Sequence, residues 1–183
     1  MQDPAIGLIE YNSIAEGIAI ADVICKRAEV KIIQSFPVCP GKYITLFSGD
    51  EASCEESLNR GIEATKYSYV DSILIPNIHT DVIKAIIGTS EAEFLESLGI
   101  IETFSIASCI QCADLSVKAA NVKLISMRLA MGIGGKAFYT ITGDLNEIEA
   151  AMEAGIVYAK KQGLLSGNEI ITSPHEDLRG LVF

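Results

Sequence analysis

Apolar and polar residues follow one another along the chain in short runs that predict alternating strands and helices. Runs of apolar and β-branched residues at Ala5–Tyr11, 30–36, 42–47 and 70–76 are typical of strands. Proline and glycine at 37–41, between the second and third runs, indicate a turn. The first part of the chain therefore predicts four short strands.

Two helices are predicted between these strands. Ser13 is suited to cap the first helix, whose apolar residues give one broad inward face. Asp50 is suited to cap the second, which extends to about residue 67. A further short helix is expected at 81–87, with a linker at 88–97. The order of the main elements is β-α-β-β-α-β.

The same pattern occurs a second time. Gly7-Leu-Ile-Glu10 recurs as Gly99-Ile-Ile-Glu102, an offset of 92 positions (99 − 7), and later matches are 94 positions apart. His79 matches His175 at an offset of 96 (175 − 79), so two short insertions lie in the second copy. Such self-similarity indicates a duplicated structural unit. We predict two α+β domains with antiparallel sheets, at residues 4–88 and 97–183.

Composition and charge exclude several classes of protein. Half of the 183 residues are hydrophobic (49%) and the net charge is −10, without a cluster of Lys and Arg. This argues against a general nucleic-acid-binding protein. No apolar run reaches the roughly 18 residues of a transmembrane helix, and no signal peptide is recognised at the N-terminus. The expectation is a chain that works in the reducing cytoplasm.

Five cysteines at irregular spacing favour free thiols or metal ligands over a disulfide framework. Cys109-x-x-Cys112 has the spacing of a redox or zinc site, but it falls within the first helix of the second copy. No second pair or histidine is suitably placed. The interpretation favoured here is two buried helix residues, and Cys25 and Cys54 are also read as helix residues.

The repeated residues resemble the bacterial microcompartment shell domain. Gly-(Leu/Ile)-Ile-Glu is similar to its first strand, and the Lys-x-Ala-x-Val-Lys segments that begin at Lys26 and Lys118 look like the entry to its second strand. Residues 76–82 are similar to its Pro-Arg-Pro-His-Thr-Asp-Val segment. Cys-Pro-Gly-Lys at 39–42 and Gly-Ile-Gly-Gly-Lys at 132–136 further resemble a tandem-domain shell protein.

The resemblance implies a place in the bacterial microcompartment shell, within the cytoplasm, and a structural rather than an enzymatic role. It implies a homotrimer of two-domain chains that forms a pseudohexameric tile and meets other shell proteins at its edges. Lys26 and Lys118 fall on the edge-lysine position of the family. Asn77, His79 and His175 fall near the same edge, with Asn77 in place of an arginine.

In such a trimer the turns that line the central opening alternate between two kinds. One turn contains Cys39, Pro40, Gly41 and Lys42. The other contains Met131, Gly132, Ile133, Gly134 and Gly135. One thiolate per chain cannot bind an iron–sulfur cluster, which takes about four Cys ligands, but three chains bring three copies of Cys39 to one axis. From the residues alone, a cluster ligand and a plain pore-lining thiol both stay open.

The resemblance implies that Cys39 binds one 4Fe-4S cluster per trimer, which passes electrons across the shell to a redox protein. Pro40 biases Cys39 away from the helical region, and Gly41 allows either a close approach of the backbone or a positive φ. Lys42 is suited to lower the thiol pKa or to offset the cluster charge.

Two further hypotheses remain. The first is a metal-free shell tile whose glycine-rich turn at 131–135 gates a pore for metabolites. The second is a regulator that binds a small molecule, since β-α-β-β-α-β domains often bind ligands between subunits.

Overall fold

The computed structural model describes residues 4–90 and 96–178. The chain divides into two compact units, one that ends at Ile78 and one that begins at His79. Each unit is α+β and is described by itself. None of the helices in the described ranges combines the length and the apolar character that crossing a bilayer requires.

From residue 4 onward, the first unit has four strands and two helices. In chain order they are β1 (Ala5–Tyr11), α1 (Ile14–Arg27), β2 (Lys31–Val38), β3 (Lys42–Gly49), α2 (Glu51–Ala64) and β4 (Tyr69–Ile75). The strand order in the sheet is β2-β3-β1-β4, and all neighbouring strands are antiparallel. The predicted order β-α-β-β-α-β is confirmed.

The second unit repeats this arrangement after one additional helix. Its elements are α3 (Thr80–Ile86), β5 (Ser97–Thr103), α4 (Ile106–Ala119), β6 (Lys123–Leu129), β7 (Ala137–Gly143), α5 (Leu145–Lys161), β8 (Leu165–Thr172) and a 3-10 turn (Glu176–Leu178). The strand order β6-β7-β5-β8 matches that of the first sheet strand for strand, again antiparallel.

Two of the predicted boundaries are wrong. The turn after the second strand was expected at 37–41, but β2 continues to Val38, so Pro37 lies inside a strand. β2 forms the edge of the sheet, where a residue without an N–H is tolerated. The second helix ends at Ala64 and not near residue 67, because Thr65 turns back and donates from its N–H and its Oγ1 to the carbonyl of Ile62.

The short helix predicted at 81–87 is present as α3. It packs on β6 and α4, elements of the second unit, whereas the predicted boundary after residue 88 assigns it to the first domain. A surface element joins the unit against which it buries its apolar face, and the order of residues does not reveal that choice. In the predicted linker at 88–97, Ser97 already begins β5, and residues 91–95 lie outside the described residues.

Side-chain caps begin the helices at the predicted residues. Ser13 accepts the backbone N–H of Glu16 at 3.3 Å. Asp50 accepts the backbone N–H of Ser53 at 2.9 Å and its hydroxyl at 2.7 Å. A cap of this kind satisfies donors that the first turn of a helix leaves unpaired.

At one pair of corresponding positions, the two cores differ in which side chain is large. Gly17 of α1 lies against the ring of Tyr43, so that a Cβ at Gly17 would stand 2.6 Å from a ring carbon. The corresponding residues in the second unit are Cys109 and Ala137 (109 − 17 = 92, 137 − 43 = 94), both buried. A larger helix residue thus accompanies a smaller strand residue, and cores accept such volume-conserving changes best.

This difference predicts non-additive stability changes. We expect Gly17→Cys to lower the free energy of unfolding by about 1–3 kcal/mol, because the new side chain displaces the Tyr43 ring. The double substitution Gly17→Cys with Tyr43→Ala, which copies the second unit, should cost clearly less than the sum of the two single changes. Urea denaturation measures all three, with Ala19→Cys on the exposed side of α1 as the control. Strict additivity would contradict the prediction.

Candidate functional site

The candidate thiol lies in the tight turn between β2 and β3. Cys39 is half-buried, while Pro40 and Gly41 are exposed. Gly41 has φ +89° and donates its N–H to the carbonyl of Val38 at 3.0 Å, which closes the turn. Of the two possibilities that the sequence left open for Gly41, the structure shows the positive φ. The thiol is therefore presented at the end of a hairpin whose backbone hydrogen-bonds within itself.

The corresponding turn of the second unit is longer and has no cysteine. It spans 130–136, between β6 and β7, against 39–41 in the first unit. Gly132, Gly134 and Gly135 all have positive φ, and Lys136 donates its N–H to the carbonyl of Ile133 at 3.3 Å. Met131 is 67% exposed at its start. The two turns occupy equivalent places but offer different chemistry.

A lysine at the point where each turn meets the following strand pairs with a glutamate on an inner strand of the sheet. Lys42 Nζ lies 3.6 Å from Glu10 Oε2, and the Glu10 side chain is only 1% exposed. Lys136 Nζ lies 3.1 Å from Glu102 Oε1, and this glutamate is 35% exposed. The structure pairs Lys42 with Glu10, while the expectation that Lys42 lowers the thiol pKa or offsets the cluster charge stays a prediction. The recurrence of Glu and Lys in both copies was the sequence signal for this pair.

Glu102 has a second partner on β8. Ser166 on β8 donates its hydroxyl to Glu102 Oε2 at 2.7 Å. This hydrogen bond lowers the pKa of Glu102; burial opposes the change and Lys136 adds to it. The carboxylate is therefore held ionised between a hydroxyl and an ammonium group.

Three of the other cysteines belong to the cores. Cys112 Sγ donates to the carbonyl of Gly155 at 3.3 Å, and burial raises its pKa to about 12. Burial also raises the pKa of Cys54 to about 11, and Cys109 is fully buried. The interpretation of Cys109 and Cys112 as packing residues agrees with this burial. Within the described ranges, no three His, Cys, Asp or Glu side chains come together as a metal site.

The predicted edge lysines each pair with an aspartate one helical turn earlier. Lys26 Nζ lies 2.6 Å from Asp22 Oδ2, and Lys118 Nζ lies 2.6 Å from Asp114 Oδ2. The surroundings differ, because the Asp22 side chain is 60% exposed and that of Asp114 is 2% exposed. Asn77 follows β4 and is exposed.

The two predicted edge histidines adopt the same local geometry. His79 Nδ1 accepts the N–H of Asp81 at 3.2 Å, and His175 Nδ1 accepts that of Asp177 at 3.2 Å. Each ring therefore caps the turn that follows it.

The model of the BMC domain matches residues 5–78 and 97–174. The chain belongs to the BMC domain family. It carries the domain twice, as the internal repeat predicts, and each copy has the four antiparallel strands and two helices described above.

Similar proteins cover one or both copies. Bacterial microcompartment shell protein PduT of Citrobacter freundii is 37% identical over 174 residues, 95% of each chain. The crystal structure of a microcompartments protein from Desulfitobacterium hafniense DCB is 43% identical, with a TM-score of 0.91 over 97% of this chain and 99% of that one. Bacterial microcompartment shell protein EutM of Salmonella typhimurium is 38% identical over 84 residues, 46% of this chain and 85% of its own.

These likenesses identify a tandem-domain shell protein that resembles PduT. The relatives are named as shell proteins and not as enzymes, which agrees with the structural role expected from the sequence.

The different burial of the two glutamates predicts unequal costs when the lysines are removed. Lys42→Met leaves a buried carboxylate without its cation, and we expect a loss of about 3 kcal/mol in the free energy of unfolding. Lys136→Met should cost about 1 kcal/mol or less, because Glu102 keeps Ser166 and is partly solvated. Urea denaturation near neutral pH measures both, with the exposed Lys31→Met as control. Equal losses would show that burial of Glu10 does not set the cost.

The lowered pKa of Glu102 predicts a pH-dependent effect of Ser166→Ala. Because the folded pKa lies below its ordinary value of 4.5, the hydrogen bond stabilises the fold above that value. The contribution is lost as pH falls through the folded pKa. The stability difference between wild type and Ser166→Ala should therefore shrink in acid, as urea denaturation from about pH 6 to about pH 3 measures. A difference that is constant over this range would contradict the assignment.

Proposed function

We propose that this chain forms homotrimeric, pseudohexameric tiles of the bacterial microcompartment shell, and that three Cys39 thiolates at the axis of each trimer bind one 4Fe-4S cluster. The observation that carries the proposal is the difference between the two turns. One copy presents a thiol at the end of a hairpin, and the other presents only glycines, Ile133 and Met131. A duplicated chain thus supplies one thiol for every two domains.

The resemblance and the duplication together support the proposed trimer. Most soluble oligomers are closed and symmetric. Three two-domain chains give a ring of six similar domains, in which the two kinds of turn alternate around the axis. Shell location and edge contacts with other shell proteins are carried over from relatives such as PduT and EutM, which are named as shell proteins.

The donor set fits an iron–sulfur cluster only in the trimer. A single chain brings no three ligands together within its described ranges, and Cys54, Cys109 and Cys112 are buried in the cores. Three thiolates would hold three irons and leave the fourth iron to a ligand from outside the protein. When bound, the cluster would supply one-electron transfer between the two sides of the shell.

The chain's own residues hold the thiol in place. On one side of Cys39, the side chain of Val38 is buried in the sheet at 5% exposure. On the other side, Lys42 is tied to Glu10 of an inner strand. Between them, the Gly41 hydrogen bond closes the turn. A ligand that is fixed before binding loses less conformational freedom on binding, which favours a site shared by three chains.

Electron transfer across the shell needs a donor on one side and an acceptor on the other. We therefore propose a redox protein as a partner on at least one side of the tile.

Removal of Cys39 tests the proposal. Anaerobically purified wild type should contain about four irons per trimer and absorb in the visible range, as clusters of this type do. Cys39→Ala should lose both the iron and the absorbance and remain a trimer. Cys25→Ala is the matched control, because Cys25 is an exposed thiol on α1, and it should keep both. Stoichiometric iron in Cys39→Ala would contradict the proposal.

A metal-free tile with a gated pore is the alternative function. The observation that favours it is the turn at 130–136, in which Ala130 and three glycines adopt positive φ beside the exposed Met131. If anaerobically purified wild type contains no iron and does not differ from Cys39→Ala in its spectrum, this alternative replaces the cluster.

A further inference from the structure

The second unit contains a cavity at the edge of its sheet. The cavity lies between β6, which is an edge strand, and the end of α3. Its volume is about 480 Å³, and it is partly open to solvent. Pockets that bind small molecules have volumes of about 300 to 1,000 Å³, whereas one water molecule takes about 30 Å³. The cavity is therefore large enough for a small organic molecule.

One side of the cavity is apolar. Ile86 of α3 and Ile125 and Met127 of β6 line it, and these three side chains are 7%, 4% and 6% exposed. Ile87 also belongs to the lining and is 47% exposed. A ligand with an apolar part would remove this surface from water, which is favourable.

The other lining residues of β6 are polar. Successive side chains of a strand point to opposite faces of the sheet, so Ser126 and Arg128 lie opposite Met127. Arg128 is exposed, and no carboxylate in the described parts of the chain forms an ion pair with it. The guanidinium group is always charged and carries five N–H donors in one plane. The cavity thus offers a cation on one side and an apolar surface on the other.

The hydroxyl groups of the lining already have partners. Ser90 donates from its Oγ to the carbonyl of Leu124. Ser126 and Thr140 share a hydrogen bond between their hydroxyls at 3.0 Å. These bonds connect the walls of the cavity to the sheet, and recognition by charge is left to Arg128.

The first unit has no cation at the equivalent position. Phe36 of β2 corresponds to Arg128 of β6 (128 − 92 = 36), and the two residues pair with the corresponding residues Ile44 and Phe138 of the neighbouring strands. Phe36 is half-buried. The same strand therefore forms with a phenylalanine at this place, so the fold does not require the positive charge of Arg128.

We propose that this cavity binds a small organic anion with an apolar part, such as a carboxylate on a short hydrocarbon chain. The guanidinium group of Arg128 pairs with the carboxylate through two N–H groups, the geometry that arginine favours. The hydrocarbon chain lies against Ile86 and Met127 and covers Ile87. The inference uses residues of the second unit alone, and it depends neither on a trimer nor on a cluster.

Both parts of the ligand contribute to the binding. An ion pair with an exposed arginine is worth little in water by itself. An apolar ligand without a charge leaves Arg128 without a partner, and an anion without a hydrocarbon chain leaves the apolar side in water. The cavity therefore selects anions that carry an apolar chain over molecules that have only one of the two parts.

The methyl signals of methionine measure this binding by nuclear magnetic resonance. Hexanoate, the probe, has both parts of the proposed ligand. In protein labelled with carbon-13 at the methionine methyl groups, hexanoate should shift the Met127 signal in a saturable manner. Half-saturation is expected at about 1 to 10 mM, because so small a ligand makes few contacts. Met152 of α5 is 1% exposed and does not line the cavity, so its signal should stay in place. Met127→Leu identifies the Met127 signal.

Two matched molecules separate the charge from the hydrocarbon chain. Hexanol keeps the chain without the charge, and acetate keeps the carboxylate without the chain. Each should need a concentration at least about 10-fold higher than hexanoate to reach half-saturation. Equal half-saturation by hexanoate and hexanol would overturn the inference, because the charge would then have no part in binding.

Substitutions of Arg128 test the cation. Arg128→Gln removes the charge and should weaken hexanoate binding about 10-fold, while hexanol binding stays within about twofold of wild type. Arg128→Lys keeps the charge and should lose clearly less. Circular dichroism verifies that both variants are folded. Hexanoate binding that is as strong in Arg128→Gln as in wild type, or equal shifts of Met127 and Met152, would overturn the inference.

The variant Cys39→Ala separates this inference from the proposed cluster. It should bind hexanoate as wild type does, whether or not its iron is lost. A Met127 signal that hexanoate does not move in folded wild type would overturn the cavity as a binding site and leave the cluster proposal standing.

Discussion

The first unit depends on the burial of β1, one of the two inner strands of its sheet. All seven residues of β1 are buried, and the strand pairs with β3 on one side and β4 on the other. Burial extends to a carboxylate, Glu10, and a buried charge needs a partner. Lys42, the first residue of β3, is that partner. The constraint that forms the core therefore also fixes the end of the turn that carries Cys39.

The two copies keep one fold while they differ in what they bury and expose. At one pair of corresponding positions, the first core has a small helix residue and a large strand residue, Gly17 and Tyr43. The second core has a larger helix residue and a smaller strand residue there, Cys109 and Ala137. The turns are free to diverge further because they lie outside the cores. A thiol in one copy and a run of glycines in the other is an arrangement that identical domains cannot provide, and the proposed cluster uses that asymmetry.

The aspartates of α1 and α4 show how the two units differ at their surfaces. Asp114 is covered and accepts a backbone N–H, whereas Asp22 is exposed. The same pair of aspartate and lysine therefore stands in two different surroundings on two helices that occupy equivalent places.

The sequence by itself determined the features that local patterns encode: the order of the elements, the duplication and the caps at Ser13 and Asp50, since each depends on local residues or on a repeated local pattern. It also indicated, through resemblance, the family and the thiol-bearing turn. Only the tertiary structure decided that Pro37 lies within β2, that α3 joins the second unit, and that Lys42 pairs with Glu10. Those outcomes depend on which strands pair and which faces become buried, and contacts between distant residues set both.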